Sequence, residues 1–220
     1  MHRAIAILLS AAAWLPANAP ALSSADAQLQ AALRLTPDLQ RGAEQFQTCA
    51  ACHGVQGEGA SDGSVPAIAG QHTSVILEQL IDFRRNARLN IRMQHFVDHH
   101  HLTNVQELAN VAAYVNSLNP PPPKRLVADS SVAQGESFYT RLCASCHGAA
   151  AQGDANARVP RLAGQHPEYT RQQLSDALEG RRPNMEPDHA QLLAHAEPSD
   201  LAAVATFILR LGFNDSDSQR

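Results

Sequence analysis

Apolar positions recur every three or four residues in six stretches of this chain, and no stretch alternates as a half-buried strand would. Three of these stretches lie in each half, over residues 37–52, 73–85 and 104–118, then 132–146, 167–178 and 198–211. Val75, Ile76, Leu80 and Phe83 form one stripe. Leu108, Val111, Ala112, Val115 and Leu118 form another, matched by Leu201, Val204, Ile208 and Leu211. Thr103 or Asn104, and Ser199, are the expected N-caps. Gly42 and Gly135 sit inside the first stretch of each half, where glycine costs helix stability. They predict a close helix–helix approach, against Tyr114 and Phe207. The pattern predicts an all-α fold.

The halves are copies in constant register over a long stretch. Val65-Pro66-Ala67-Ile68-Ala69-Gly70-Gln71-His72 matches Val159-Pro160-Arg161-Leu162-Ala163-Gly164-Gln165-His166. Gln79-Leu80 matches Gln173-Leu174, Asp82 matches Asp176 and Arg88 matches Arg182. Four prolines, Pro120 to Pro123, separate the halves and favour a stiff, extended spacer. Two tandem domains are expected, over 28–119 and 128–220, joined by a linker at 120–127. Residues 1–27 read as an export signal. A basic Met1-His2-Arg3 start leads into an apolar run from Ala4 to Leu15 that is too short to span a bilayer. Cleavage is expected after Ala27, with Ala19 the alternative.

Composition narrows the function. The 220 residues carry a formal net charge of −4, with no block of like charge, which argues against nucleic acid and against a basic membrane patch. Only 5% of the residues are aromatic, so each half would build a thin core. A buried planar cofactor would supply the missing apolar volume.

The cysteines name that cofactor. All four fall in Cys49-Ala50-Ala51-Cys52-His53 and Cys143-Ala144-Ser145-Cys146-His147, and C-x-x-C-H is the attachment signature of a c-type haem. Cysteines three apart on a helical turn share a face. Each can form a thioether to one vinyl group of a single porphyrin, and the histidine that follows meets the iron from one side. Two local disulfides would leave both histidines unexplained. A thioredoxin-like motif would need a βαβ context, and the pairs are too far apart for one zinc. Two covalent haem c groups are therefore expected, held by Cys49, Cys52, Cys143 and Cys146, with His53 and His147 as axial ligands.

The opposite face of each iron needs a second ligand. Met1 apart, the chain has two methionines, Met93 and Met185, one in each half and both in polar loops. They are the expected sixth ligands, and thioether ligation raises the potential of the iron. Histidine competes. His95, His99, His100 and His101 follow Met93, and His189 and His195 follow Met185. Any of them in place of the thioether would give a bis-histidine haem of lower potential. The His99–His101 run reads more simply as a solvated stretch than as a metal site. A backbone carbonyl of the Val-Pro-x-x-Ala-Gly loop is the expected partner for the other ring nitrogen of His53 and of His147. Arg88 and Arg182 could pair with haem propionates.

On these motifs the chain resembles the dihaem cytochromes of the c4 family, which are tandem class I cytochrome c domains. The resemblance implies Met93 and Met185 as axial ligands, a periplasmic setting with loose membrane association at most, and electron relay to a terminal oxidase. The redox partners it implies are that oxidase, a cytochrome bc1 complex or a dehydrogenase. The sequence departs from the family pattern in the histidine run, in the histidine of both Gly-Gln-His loops, and in a second loop two residues shorter between asparagine and methionine. Six-coordinate irons predict an electron carrier, not an enzyme. The alternatives are a cytochrome subunit of a periplasmic dehydrogenase and a dihaem peroxidase.

Overall fold

The computed structural model describes residues 24–119 and 131–212, which hold ten helices and no strand. The expected export signal up to residue 23, and the expected proline linker, lie outside the described residues. The first half contains α1 (Ser24–Leu33), α2 (Leu39–His53), α3 (Thr73–Arg84), α4 (Ile91–Phe96) and α5 (Val105–Ser117). The second contains α6 (Val132–Leu142), α7 (Ala144–His147), α8 (Pro167–Leu178), α9 (Asp188–Leu192) and α10 (Pro198–Arg210).

Each half is built on one helix pair, α2 against α5 and α6 against α10. The glycines set that crossing. A Cβ on Gly42 would sit 2.8 Å from Tyr114 Cβ and press into the Asn110 carbonyl oxygen, and one on Gly135 would sit 2.9 Å from Phe207 Cβ and press into the Ala203 carbonyl oxygen. Beside the crossing, Phe46 meets Tyr114 at 5.3 Å between ring centres, and Tyr139 meets Phe207 at 5.5 Å. Such tilted aromatic pairs add to the burial of their area. The predicted stripes face inward, with Leu108, Val111, Ala112 and Val115 buried in one half and Leu201, Val204 and Ile208 in the other.

Two details differ from the sequence expectation. Asn104 is the N-cap of α5, accepting from Glu107 N at 3.0 Å, but α10 is capped by Glu197 in a reciprocal box with Asp200 instead of by Ser199. The second haem-motif helix breaks at Cys143 into α6 and α7. The expected cut after Ala27 falls within α1, whose Leu29 and Ala32 are buried and whose Ala25 packs on the same core.

The halves meet through the repeated loops, each loop making to its copy the contacts that its copy makes to it. Gln71 donates to Arg161 O at 2.8 Å and accepts from Arg161 N at 3.0 Å. Gln165 donates to Ala67 O at 2.8 Å and accepts from Ala67 N at 3.1 Å. A ring nitrogen of His72 lies 2.8 Å from Gln152 O, and one of His166 lies 2.7 Å from Glu58 O. Each histidine ring N–H donates to a carbonyl of the other half.

Candidate haem sites

The last turn of α2 carries Cys49, Cys52 and His53. Asp38 starts this helix by accepting from Arg41 N at 3.0 Å, and Gly54, at φ +80°, ends it directly after the histidine. Cys49 is half-buried against the core, Cys52 is exposed and His53 is buried. The ring nitrogen Nδ1 of His53 lies 3.0 Å from Pro66 O, and that of His147 lies 3.0 Å from Pro160 O. In both cases Nδ1–H donates to the carbonyl, which leaves Nε2 with its lone pair for a metal. Burial holds both imidazoles below the ordinary histidine range, the carbonyl bond partly offsetting it. The neutral form that results is the ligating form. Burial also raises the Cys49 thiol and, helped by the charge of Cys146, pushes Cys143 up to about 11.

Met93 stands in the first turn of α4, where Asn90 accepts from its backbone N–H at 3.1 Å. It is half-buried, whereas His95 is exposed and stacks edge-on against His101, 4.8 Å between ring centres. Asp98 accepts from His101 Nδ1–H at 2.9 Å and from the backbone N–H of His100, and the His101 bond is the main cause holding its carboxyl down to about 2. Arg84 pins the turn by donating to Val97 O at 2.8 Å and Leu102 O at 2.6 Å. The histidine run is thus a local turn on the surface. Among the described residues no ring contact joins it to His53.

The second half is arranged differently. Met185 directly follows Asn184, is half-buried, and its N–H donates to Arg182 O at 3.1 Å. Beyond it, α9 brings His189 to within 6.1 Å of His147, measured between ring centres. His189 Nδ1–H donates to Glu186 O at 3.2 Å.

Arg88 and Arg182 come together between the halves. Arg88 donates to Gln79 Oε1 and the Tyr169 hydroxyl, each at 2.6 Å, and to Gln173 Oε1 at 2.9 Å. Asn184 donates to Asp82 Oδ2 across the same seam at 2.8 Å. Arg182 Nε is shut off from solvent without a hydrogen-bond partner. Burial first, and repulsion from Arg88 second, pull the Arg182 guanidinium down to about 10. A buried cation with an unsatisfied N–H beside a second cation fits a carboxylate. A haem propionate is such a group, so the residues present fit the cofactor that the cysteine pairs call for.

The cytochrome c family model matches residues 39–119 and 132–212. Cytochrome c4 of Thiocapsa roseopersicina is 36% identical, covering 81% of this chain and 95% of its own. The chain belongs to the dihaem cytochrome c4 family. As a cytochrome of this family it carries electrons on two covalently bound haem c groups, one per half. The crystal structure of reduced recombinant cytochrome c4 from Pseudomonas stutzeri superposes with a TM-score of 0.70 at 28% identity, over 79% of this chain and 98% of that one. A thiosulfate dehydrogenase electron acceptor of Stutzerimonas stutzeri is 31% identical, covering 74% of this chain and 79% of its own.

Sequence reasoning singled out the cysteines, both proximal histidines and the carbonyl partner of each. It did not assign a role to His72 and His166, although their repetition after Gln71 and Gln165 was a signal that the same loop is used twice.

Proposed function

We propose that this cytochrome works in the periplasm as a one-electron carrier between a donor, such as a cytochrome bc1 complex or a dehydrogenase, and a terminal oxidase, and turns over no substrate of its own. One arrangement carries the reading. Each cysteine pair is followed by a buried histidine whose Nδ1–H is tied to a prolyl carbonyl, which leaves Nε2 free to bind iron. Each haem supplies a one-electron redox centre. Cys49 and Cys52 would hold the first, Cys143 and Cys146 the second, with His53 and His147 as axial ligands on one face. Met93 would complete the first iron. For the second, sequence nominates Met185, which competes with His189 as argued below.

The apolar run from Ala4 to Leu15 supports export, and no described helix is long and apolar enough to cross a membrane. The net charge of −4, without a charge block, favours docking by a nearly neutral patch around each haem edge, as in small transient redox interfaces. The similarity to a thiosulfate dehydrogenase electron acceptor supports a second reading, in which the donor is a dehydrogenase of that kind.

Stopped-flow mixing tests the proposal. The reduced holoprotein should be oxidised rapidly by membranes containing a cytochrome c oxidase, with modest dependence on salt. Protein that stays reduced there, yet consumes peroxide at an enzymatic rate with an added donor, would be a peroxidase instead.

A further inference from the structure

We propose that the second haem iron takes His189, not Met185, as its sixth ligand, so that the two haems of one chain are coordinated differently. This rests on the two-haem reading above.

Spacing is the first observation. An iron held between two imidazoles, with each nitrogen about 2 Å from the metal, sets the ring centres about 6 Å apart. His147 and His189 stand 6.1 Å apart by that measure. Orientation is the second. His189 has its Nδ1–H on a backbone carbonyl, that of Glu186, as His147 has its own on Pro160. Both rings therefore keep Nε2 for a metal.

Register is the third. The short helices α4 and α9 end alike, on the buried Val97 and Leu193. Val97 N–H donates to Met93 O and Leu193 N–H donates to His189 O, each at 3.0 Å. His189 therefore stands in α9 where Met93 stands in α4. Met185 lies before α9, outside that turn. In the first half the nearest histidine, His95, is exposed and turned onto Phe96 and His101, which leaves Met93 for the iron. Asn184 also ties the start of the second loop to Asp82 of the other half, beside Met185.

Different ligands give the haems different potentials. A thioether raises the potential relative to imidazole, so the C-terminal half becomes the lower-potential site and the N-terminal half the higher. An electron accepted from a donor by the C-terminal half would then pass downhill to the N-terminal half, the one oxidised as the other is reduced, and leave from there to the acceptor.

Near-infrared spectroscopy of the oxidised holoprotein, with two haems per chain first verified by intact mass, tests the assignment. The sulfur-to-iron charge-transfer band should have the intensity of one methionine-ligated haem. Met93→Ala should abolish it, and Met185→Ala should leave it unchanged. Reduced His189→Ala should bind carbon monoxide at one haem per chain, where the parent protein binds none. A two-haem band in the parent that Met185→Ala halves would overturn the proposal. If His189→Ala fails to mature, the parent band and Met185→Ala still decide. A mass showing fewer than two haems would instead overturn the reading on which the proposal rests.

Discussion

Gly42 lies where two helices come closest, and its missing side chain decides the distance between them. Alanine there would gain about 1 kcal/mol of helix propensity. It would also drive a methyl into the Asn110 carbonyl and Tyr114 Cβ, and overpacking of that kind costs about 1–3 kcal/mol. Backbone on the facing helix cannot step aside, so we expect Gly42→Ala to be a net loss, read as a lower midpoint in thermal unfolding of the holoprotein. An unchanged or raised midpoint would show that α5 yields. Both this contact and the Pro66 and Pro160 carbonyls were legible in sequence, because each feature occurs twice and its partners are local or lie on predicted helices. His72 and His166 were not. Their acceptors, Gln152 O and Glu58 O, are backbone atoms of the opposite half, and nothing in either loop's composition names them.

At the scale of elements, α2 and the α6–α7 pair do one job in two ways. Cys49 follows Phe46 by three positions, but Cys143 follows Tyr139 by four. One extra residue in an unbroken helix would swing the cysteines about 100° away from the aromatic core. The break at Cys143, with φ −112° and ψ −37°, absorbs that residue, and the last turn restarts as α7. Deleting the exposed Thr140 would restore the spacing of the first half. We expect the variant to keep two haems by intact mass and to gain helix content by circular dichroism, whereas loss of the second haem would mean that the break itself is needed. The six long helices were visible as stripes. The short ones, α4 and α9, were not, since one or two turns offer too little periodicity to register and depend on tertiary contacts to form. α1 went unseen for another reason. Its alanine-rich sequence adjoins the expected export leader, and its burial follows from packing against α3 and α5.

The whole molecule is held by contacts that pass between its halves. Gln71 and Gln165 each place two side-chain hydrogen bonds on the other half's backbone, and a net of about 1 kcal/mol apiece makes this seam a large part of the coupling. Gln71→Ala combined with Gln165→Ala should therefore separate the unfolding of the two halves. Scanning calorimetry would show two resolved transitions where the parent protein shows one. A single unshifted transition would place the coupling elsewhere, in Ser74, Arg158 and Glu78. The tandem arrangement was readable from the repeat. Which faces meet was not, because a polyproline spacer sets a reach and not an orientation.

The reciprocity of that seam has a consequence for how the chain associates. At the repeated loops, the glutamine and histidine contacts that the first half offers are those that the second half offers back. That is the self-complementary contact of a C2 homodimer, written into one polypeptide. Because each copy's patch is consumed by the other, the intact chain has none left over with which to recruit a further copy by the same route. Within one polypeptide such an assembly is complete in each molecule instead of being governed by concentration, and its two sites are free to differ, as those of identical subunits are not.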